Sequence, residues 1–212
     1  MELRNRILAH RGFWTDKSGS KVLEQNSKDA ISRAFELGFG VEIDIRDFDG
    51  ELVVAHDPAT EQSQRISEIE LDSCQSTIAL NVKSDGLIPM IRSFELGQIQ
   101  KINHFYFDMS FPEQRKYFEA GLSVAIRTSE FENVEVSDPS YIWLDSFIND
   151  WYVEDFRFLT KFQNSLICIV SPELHNRPLG PIWERLIPFF IELPNVLICT
   201  DFPMEFAKAL ER

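Results

Sequence analysis

Residues 40–56 read GVEIDIRDFDGELVVAH, and this stretch decides the fold. Side chains of an extended strand alternate between its two faces. Within GVEIDI (40–45), Glu42 and Asp44 therefore share one face, while Val41, Ile43 and Ile45 share the other. The apolar face demands burial. Two carboxylates on the opposite face repel each other unless a proton or cation lies between them. Asp49-Gly50 then marks a tight turn, and ELVVAH (51–56) reads as a strand running back along the first. The expected element is a sheet strand with a small hairpin extension.

Working outward, comparable apolar runs recur along the chain. They are RILAH (6–10), TIALNVK (77–83), HFYFDMS (104–110), LSVAIRTSE (122–130), YIWLDSF (141–147), SLICIVS (165–171) and NVLICT (195–200). Several are almost continuously apolar, as parallel strands buried on both faces should be. Helical segments separate them. Residues 26–37 carry Ile31, Ala34, Phe35 and Leu37 on one face, with Asn26 or Ser27 as N-cap and Gly38 as the stop. Residues 112–121 start with Pro and end with Gly. Residues 84–99, 151–163 and 203–211 are further helical candidates, whereas Pro188 makes 182–193 ambiguous. The link over 131–140 has room for little more than a turn.

Eight strands alternating with helices predict an α/β fold, a compact (β/α)8 TIM barrel with the hairpin extension after its second strand, formed by a single domain over 1–212. An open doubly wound sheet is the alternative. Its nucleotide-binding versions lose support because no G-x-G-x-x-G follows the first strand.

The formal net charge is −13 and no basic block stands out, so no nucleic-acid partner is expected. An anionic substrate would need local cations at its site. The three cysteines, Cys74, Cys168 and Cys199, form no motif, and the last two lie in apolar runs as small buried hydrophobes. No apolar leader or bilayer-length stretch is visible, so the expected location is cytoplasmic, with peripheral membrane contact left open. Nothing assigns an oligomeric state.

Polar residues collect where the strands end, the end at which barrel enzymes place their active sites. They are His10-Arg11, Glu42 with Asp44, Asn81 with Lys83, Asp108, Arg127 with Glu130, Asp145, Ser171 with Glu173, and Asp201. Burial does not explain this, because unpaired buried charge is costly. Asp201, ahead of Phe202-Pro203, reads best as a helix cap. Arg127 and Glu130 read as a rim ion pair, and Asp57 as a turn cap that could instead orient His56. The oxygen-only Glu42/Asp44 pair suits one hard divalent cation, Mg2+ or Ca2+. A structural reading, with one carboxylate held by Arg11 or Lys83, stands beside it. His10 and His56 flank the carboxylate strand, and an imidazole can accept or donate a proton near neutral pH. His104 begins its strand and reads as structural. His175, in SPELHNRP, lies on a rim loop within reach of a substrate.

These residues resemble the glycerophosphodiester phosphodiesterase family, within the phosphatidylinositol-specific phospholipase C-like superfamily. The resemblance begins at ILAHRG, runs through EQNSKDAISRAFELGFGVEIDIRDFDGELVVAHDP and reappears in VLICTDFP. It implies a barrel, a divalent metal, proton transfer by His10 and His56, and phosphate binding by Arg11. Glu42 and Asp44 match the first two metal ligands. The family's third ligand, a Glu two residues before a Lys, is matched by Asn81 ahead of Lys83. An amide oxygen can still coordinate, with one charge fewer. Asp108 is the other candidate for the missing carboxylate. The Pro-Glu-Asn-Thr segment of the family appears as Glu24-Gln25-Asn26-Ser27. The expected function is metal-dependent hydrolysis of a small phosphodiester, with Lys83 also attracting phosphate. The alternatives are a lyase releasing a cyclic phosphate and a degenerate barrel that only binds a phosphorylated ligand.

Overall fold

The computed structural model describes residues 3–16, 19–99, 101–132, 136, 138–154, 161–179 and 182–211. Ten strands form one sheet in a mixed α/β fold. They are β1 (Ile7–His10), β2 (Gly40–Phe48), β3 (Glu51–Val54), β4 (Gln64–Arg65), β5 (Thr77–Val82), β6 (Asn103–Phe107), β7 (Ala125–Thr128), β8 (Tyr141–Leu144), β9 (Leu166–Val170) and β10 (Val196–Thr200). β1 lies between β2 and β10, and the path continues through β9 and β8 to β7; on the other side β5 pairs with β2, and β6 with β5. All of these pairings are parallel. The strands at the two ends of this path, β6 and β7, meet at an isolated parallel bridge between Tyr106 and Val124.

The hairpin forms where Asp49-Gly50 reads as a turn. Both residues take positive φ, 50° and 78°, which glycine adopts freely and aspartate tolerates. Ile45 then pairs with Val54. The short β4 beyond it, pairing Val54 with Gln64, is not legible as a strand in two polar residues.

Strand alternation sorts the side chains into two clusters. Val41, Ile43, Ile78, Leu80, Ile167 and Ile198 belong to the larger one, which also takes in Ile31 and Ala34 of the helix Lys28–Glu36. The opposite face carries Leu8, Ala79, Phe105, Phe107, Ala125, Trp143, Cys168, Val170, Leu197 and Cys199. Phe107 and Trp143 stack there with centroids 3.9 Å apart. All three cysteines are buried and free. The second face also contains Glu42 and Asp44, because they alternate with Val41, Ile43 and Ile45.

Ser27 is the N-cap of the first of these helices, its Oγ accepting from Ala30 N–H at 3.2 Å. The helix Ile182–Glu192 runs through Pro188. A proline there removes one backbone hydrogen bond, but Ile182, Leu186 and Phe190 remain one buried stripe, and that packing holds the helix together. Segment 84–99 is helical over Ile88–Phe94 and continues as a wider turn to Ile99. Much of the helix expected over 151–163, and part of the 131–140 link, lie outside the described residues.

One glycine positions the site. After His10 the chain turns sharply, with Arg11 at φ 57° and Gly12 at φ 86°. A Cβ on Gly12 would stand 2.7 Å from the carbonyl carbon of Ala30. Gly12→Ala combines a disfavoured φ with a backbone clash and is expected to cost about 1–3 kcal/mol, read as a lower thermal midpoint. A midpoint equal to that of the parent chain would show that the turn relaxes freely.

Candidate active site

The second sheet face is apolar at the strand starts and polar at their ends. His10, Glu42, Asn81, Arg127 and Asp145 all follow from this pattern, and all line one pocket of about 210 Å3. Strand register brings them together: His10 pairs with Glu42 across β1 and β2, and Asp44 with Asn81 across β2 and β5.

Asp44 is fully buried and sits at the centre of a polar network. Its Oδ2 accepts from Asn26 Nδ2 at 2.8 Å, and Asn26 Oδ1 accepts from Asp44 N–H at 3.2 Å. Arg11 Nε approaches Oδ2 at 2.9 Å. That N–H is not aimed along a hydrogen bond, so the contact is a charge contact. Lys83 Nζ stands 3.5 Å from Oδ1. Arg11 also donates to Gln25 Oε1 at 3.3 Å, and its backbone N–H donates to Glu42 Oε2 at 3.2 Å. Burial, then the charge of Asp44, push the Glu42 carboxyl up to about 7 against the pull of His10, Lys83 and Arg11.

Among the described residues, three buried oxygens of this cluster have no hydrogen-bond donor: Glu42 Oε1, Asp44 Oδ1 and Asn81 Oδ1. Buried acceptors are ordinarily paired. Two carboxylate oxygens and an amide oxygen, all hard donors, are a set a divalent cation could take. The described residues contain no cluster of three or more His, Cys, Asp or Glu side chains able to hold a metal, so the amide would be needed. Asp108 is poorly free to join. Its Oδ2 lies 3.1 Å from Lys83 Nζ and its Oδ1 is paired with Arg127 Nη1.

His10 is oriented by Asp201, with Nδ1 2.8 Å from Oδ1. Its Nε2 is 3.9 Å from Glu42 Oε2. Burial lowers the His10 pKa, but the Asp201 hydrogen bond and the charges of Glu42 and Asp201 outweigh it, so the net shift is upward. The capping role expected of Asp201 is therefore corrected. Its carboxylate turns to His10, and the helix Pro203–Ala209 has no side-chain cap. His56 is not among the residues lining the pocket. It follows β3 with its side chain 48% exposed, its Nδ1 3.0 Å from Asp57 Oδ1. Asp57 thus contacts the His56 ring, the orienting alternative to a turn cap.

The expected Arg127–Glu130 pair is also corrected. Arg127 pairs with Glu132 and Asp108, whereas Glu130 accepts from the backbone N–H groups of Phe147, Ile148 and Asn149. Arg127 adds a third cation to the pocket, and only its strand-end position hints at this in the sequence. His104 contacts Glu95 at 3.1 Å, away from the pocket, as its structural reading implied.

No protein-family model and no curated protein matches the sequence. A solved structure, a phosphodiesterase from Oleispira antarctica in complex with its product sn-glycerol-3-phosphate, is similar to this chain with a TM-score of 0.59 and 13% identity, over 98% of this chain and 97% of that one. At that identity the likeness shows a shared fold. Among the described residues, no helix is long and apolar enough to cross a membrane.

Proposed function

We propose that this pocket cleaves a small phosphodiester. The observation that carries the reading is the set of buried oxygens on Glu42, Asp44 and Asn81 that lack a hydrogen-bond donor, grouped with Arg11, Lys83 and the carboxylate-oriented His10. We read the sheet as a closed (β/α)8 barrel, supported by the Tyr106–Val124 bridge between its end strands and by the pocket lining drawn from around the sheet.

Glu42, Asp44 and Asn81 would hold one Mg2+ or Ca2+, which when bound supplies Lewis-acid polarisation of a phosphoryl oxygen. Arg11 and Lys83 place positive charge beside the phosphate and favour the anionic transition state. This answers the overall charge of −13, which would otherwise repel the substrate. His10 moves a proton within the pocket. His56, the partner that motif order names, follows β3 with its side chain half exposed. A glycerophosphodiester is the substrate class we favour: the Oleispira protein of similar fold retains a glycerol phosphate product, and the pocket volume suits a small polar half-molecule.

Two measurements test this. Phosphorus NMR of a diester panel should show a phosphomonoester product; a cyclic phosphate end product would make the protein a lyase. Calorimetric titration with Mg2+ and Ca2+ should show one site that is lost in Glu42→Gln. Absence of both turnover and cation binding would leave only a phosphate-binding barrel.

A further inference from the structure

A second imidazole–carboxylate pair faces the same pocket from the β8–β9 side. The loop after β9 forms one short turn, Pro172–His175, and ends at Asn176 with φ 55°. His175 Nε2 lies 2.5 Å from Asp145 Oδ1. The ring packs against Phe147 with centroids 4.4 Å apart. Asp145 is buried, and its Oδ1 also accepts from Ser146 N–H at 2.9 Å. This arrangement fixes the tautomer, with the neutral ring carrying its proton on Nε2. Nδ1 makes no hydrogen bond among the described residues, and His175 lines the pocket together with His10.

The loop does not need His175 as a tether. Arg177 donates to Ser146 O at 2.9 Å and to Ser146 Oγ at 2.8 Å, and it pairs with Asp150. Glu173 accepts from Thr200 Oγ1 and from Asp201 N–H, which fixes the other side. The His175–Asp145 pair therefore repeats the His10–Asp201 arrangement. The His56–Asp57 pair, by contrast, is more exposed, its side chains 48% and 90% accessible.

We propose that His175, oriented by Asp145, is the second proton-transfer residue of this pocket and protonates the departing alcohol. This rests on the phosphodiester reading above. In the step, His10 takes a proton from the attacking hydroxyl or water as its oxygen bonds to phosphorus. The bond from phosphorus to the alcohol oxygen breaks, and its electron pair stays on that oxygen. Imidazolium His175 gives that oxygen the proton on Nδ1. His10 ends protonated and His175 neutral, and exchange with solvent resets both.

The test compares two diesters, one with an ordinary alkyl leaving group and one releasing p-nitrophenol, which departs without needing a proton. His175→Ala and His175→Gln should lower turnover of the alkyl diester by about 10²–10⁴-fold, the usual general-acid range. Both should stay within a few-fold of wild type on the nitrophenyl ester, which also shows that the variants fold. Equal losses on both esters, or no loss on either, would overturn the proposal. So would a leaving-group-dependent loss in His56→Ala that His175→Ala lacks. Wild-type protein that cleaves neither diester would bring down the phosphodiester reading and this proposal together. Wild-type turnover with indifferent His175 variants brings down the proposal alone.

Discussion

His10→Ala is expected to lower phosphodiester turnover by about 10²–10⁴-fold while leaving the fold intact. His10 stands at the end of β1, where its partly buried side chain lines the pocket and its Nε2 lies 3.9 Å from Glu42 Oε2, close enough to serve the same reacting atoms. Its usefulness depends on orientation. Asp201 accepts from Nδ1, which leaves Nε2 facing the carboxylate cluster. Asp201→Asn should therefore lower turnover too, by a smaller factor, because the imidazole remains while its fixed tautomer and the contribution of Asp201 to its upward-shifted proton affinity are lost. Steady-state rates on an alkyl diester, with near-ultraviolet circular dichroism as the control for folding, read both effects. Turnover within threefold of wild type in His10→Ala would remove His10 from the chemistry.

The sequence makes the carboxylate strand legible because a period of two is a local property. Glu42 and Asp44 can face only one way if Val41, Ile43 and Ile45 are buried. His10 and Lys83 are legible for a related reason, since each ends an apolar run. What escapes is pairing across the sheet. Asp201 reads locally as a helix cap, and only the β1–β10 register, which pairs Ala9 with Thr200, brings it to His10. Arg127 has Glu130 close by in sequence, yet Glu130 is drawn to three backbone N–H groups that only the folded loop presents. His175 and Asp145 belong to different strand-to-helix links, and no spacing rule connects them. The continuous helix through Pro188 escapes for a different reason, because tertiary packing overrides a local penalty.

Asp44→Ala is expected to destabilise the protein by about 3–5 kcal/mol and to abolish divalent-cation binding. Two effects oppose each other at this position. Removing Asp44 relieves its repulsion of Glu42, one of the causes that push the Glu42 carboxyl up to about 7. It also strips Arg11 of the carboxylate at 2.9 Å and Lys83 of the one at 3.5 Å, and leaves Asn26 without its acceptor at 2.8 Å. The second effect wins. Lys83 keeps Asp108 at 3.1 Å, but Arg11 falls back on neutral Gln25 and the backbone-bonded Glu42. The repulsion that is relieved is already softened, because a carboxyl with a pKa near neutrality can hold a proton. For a chain of this size, each kcal/mol lowers the thermal midpoint by about 2–4 °C, so the fall should be roughly 6–20 °C. Added Mg2+ or Ca2+ should raise the wild-type midpoint by mass action and leave that of Asp44→Ala unmoved. The two readouts separate the two roles of Asp44. A lower midpoint with the cation response intact would make it a partner of Arg11 and Lys83 only, and a lost response at an unchanged midpoint would make it a ligand only.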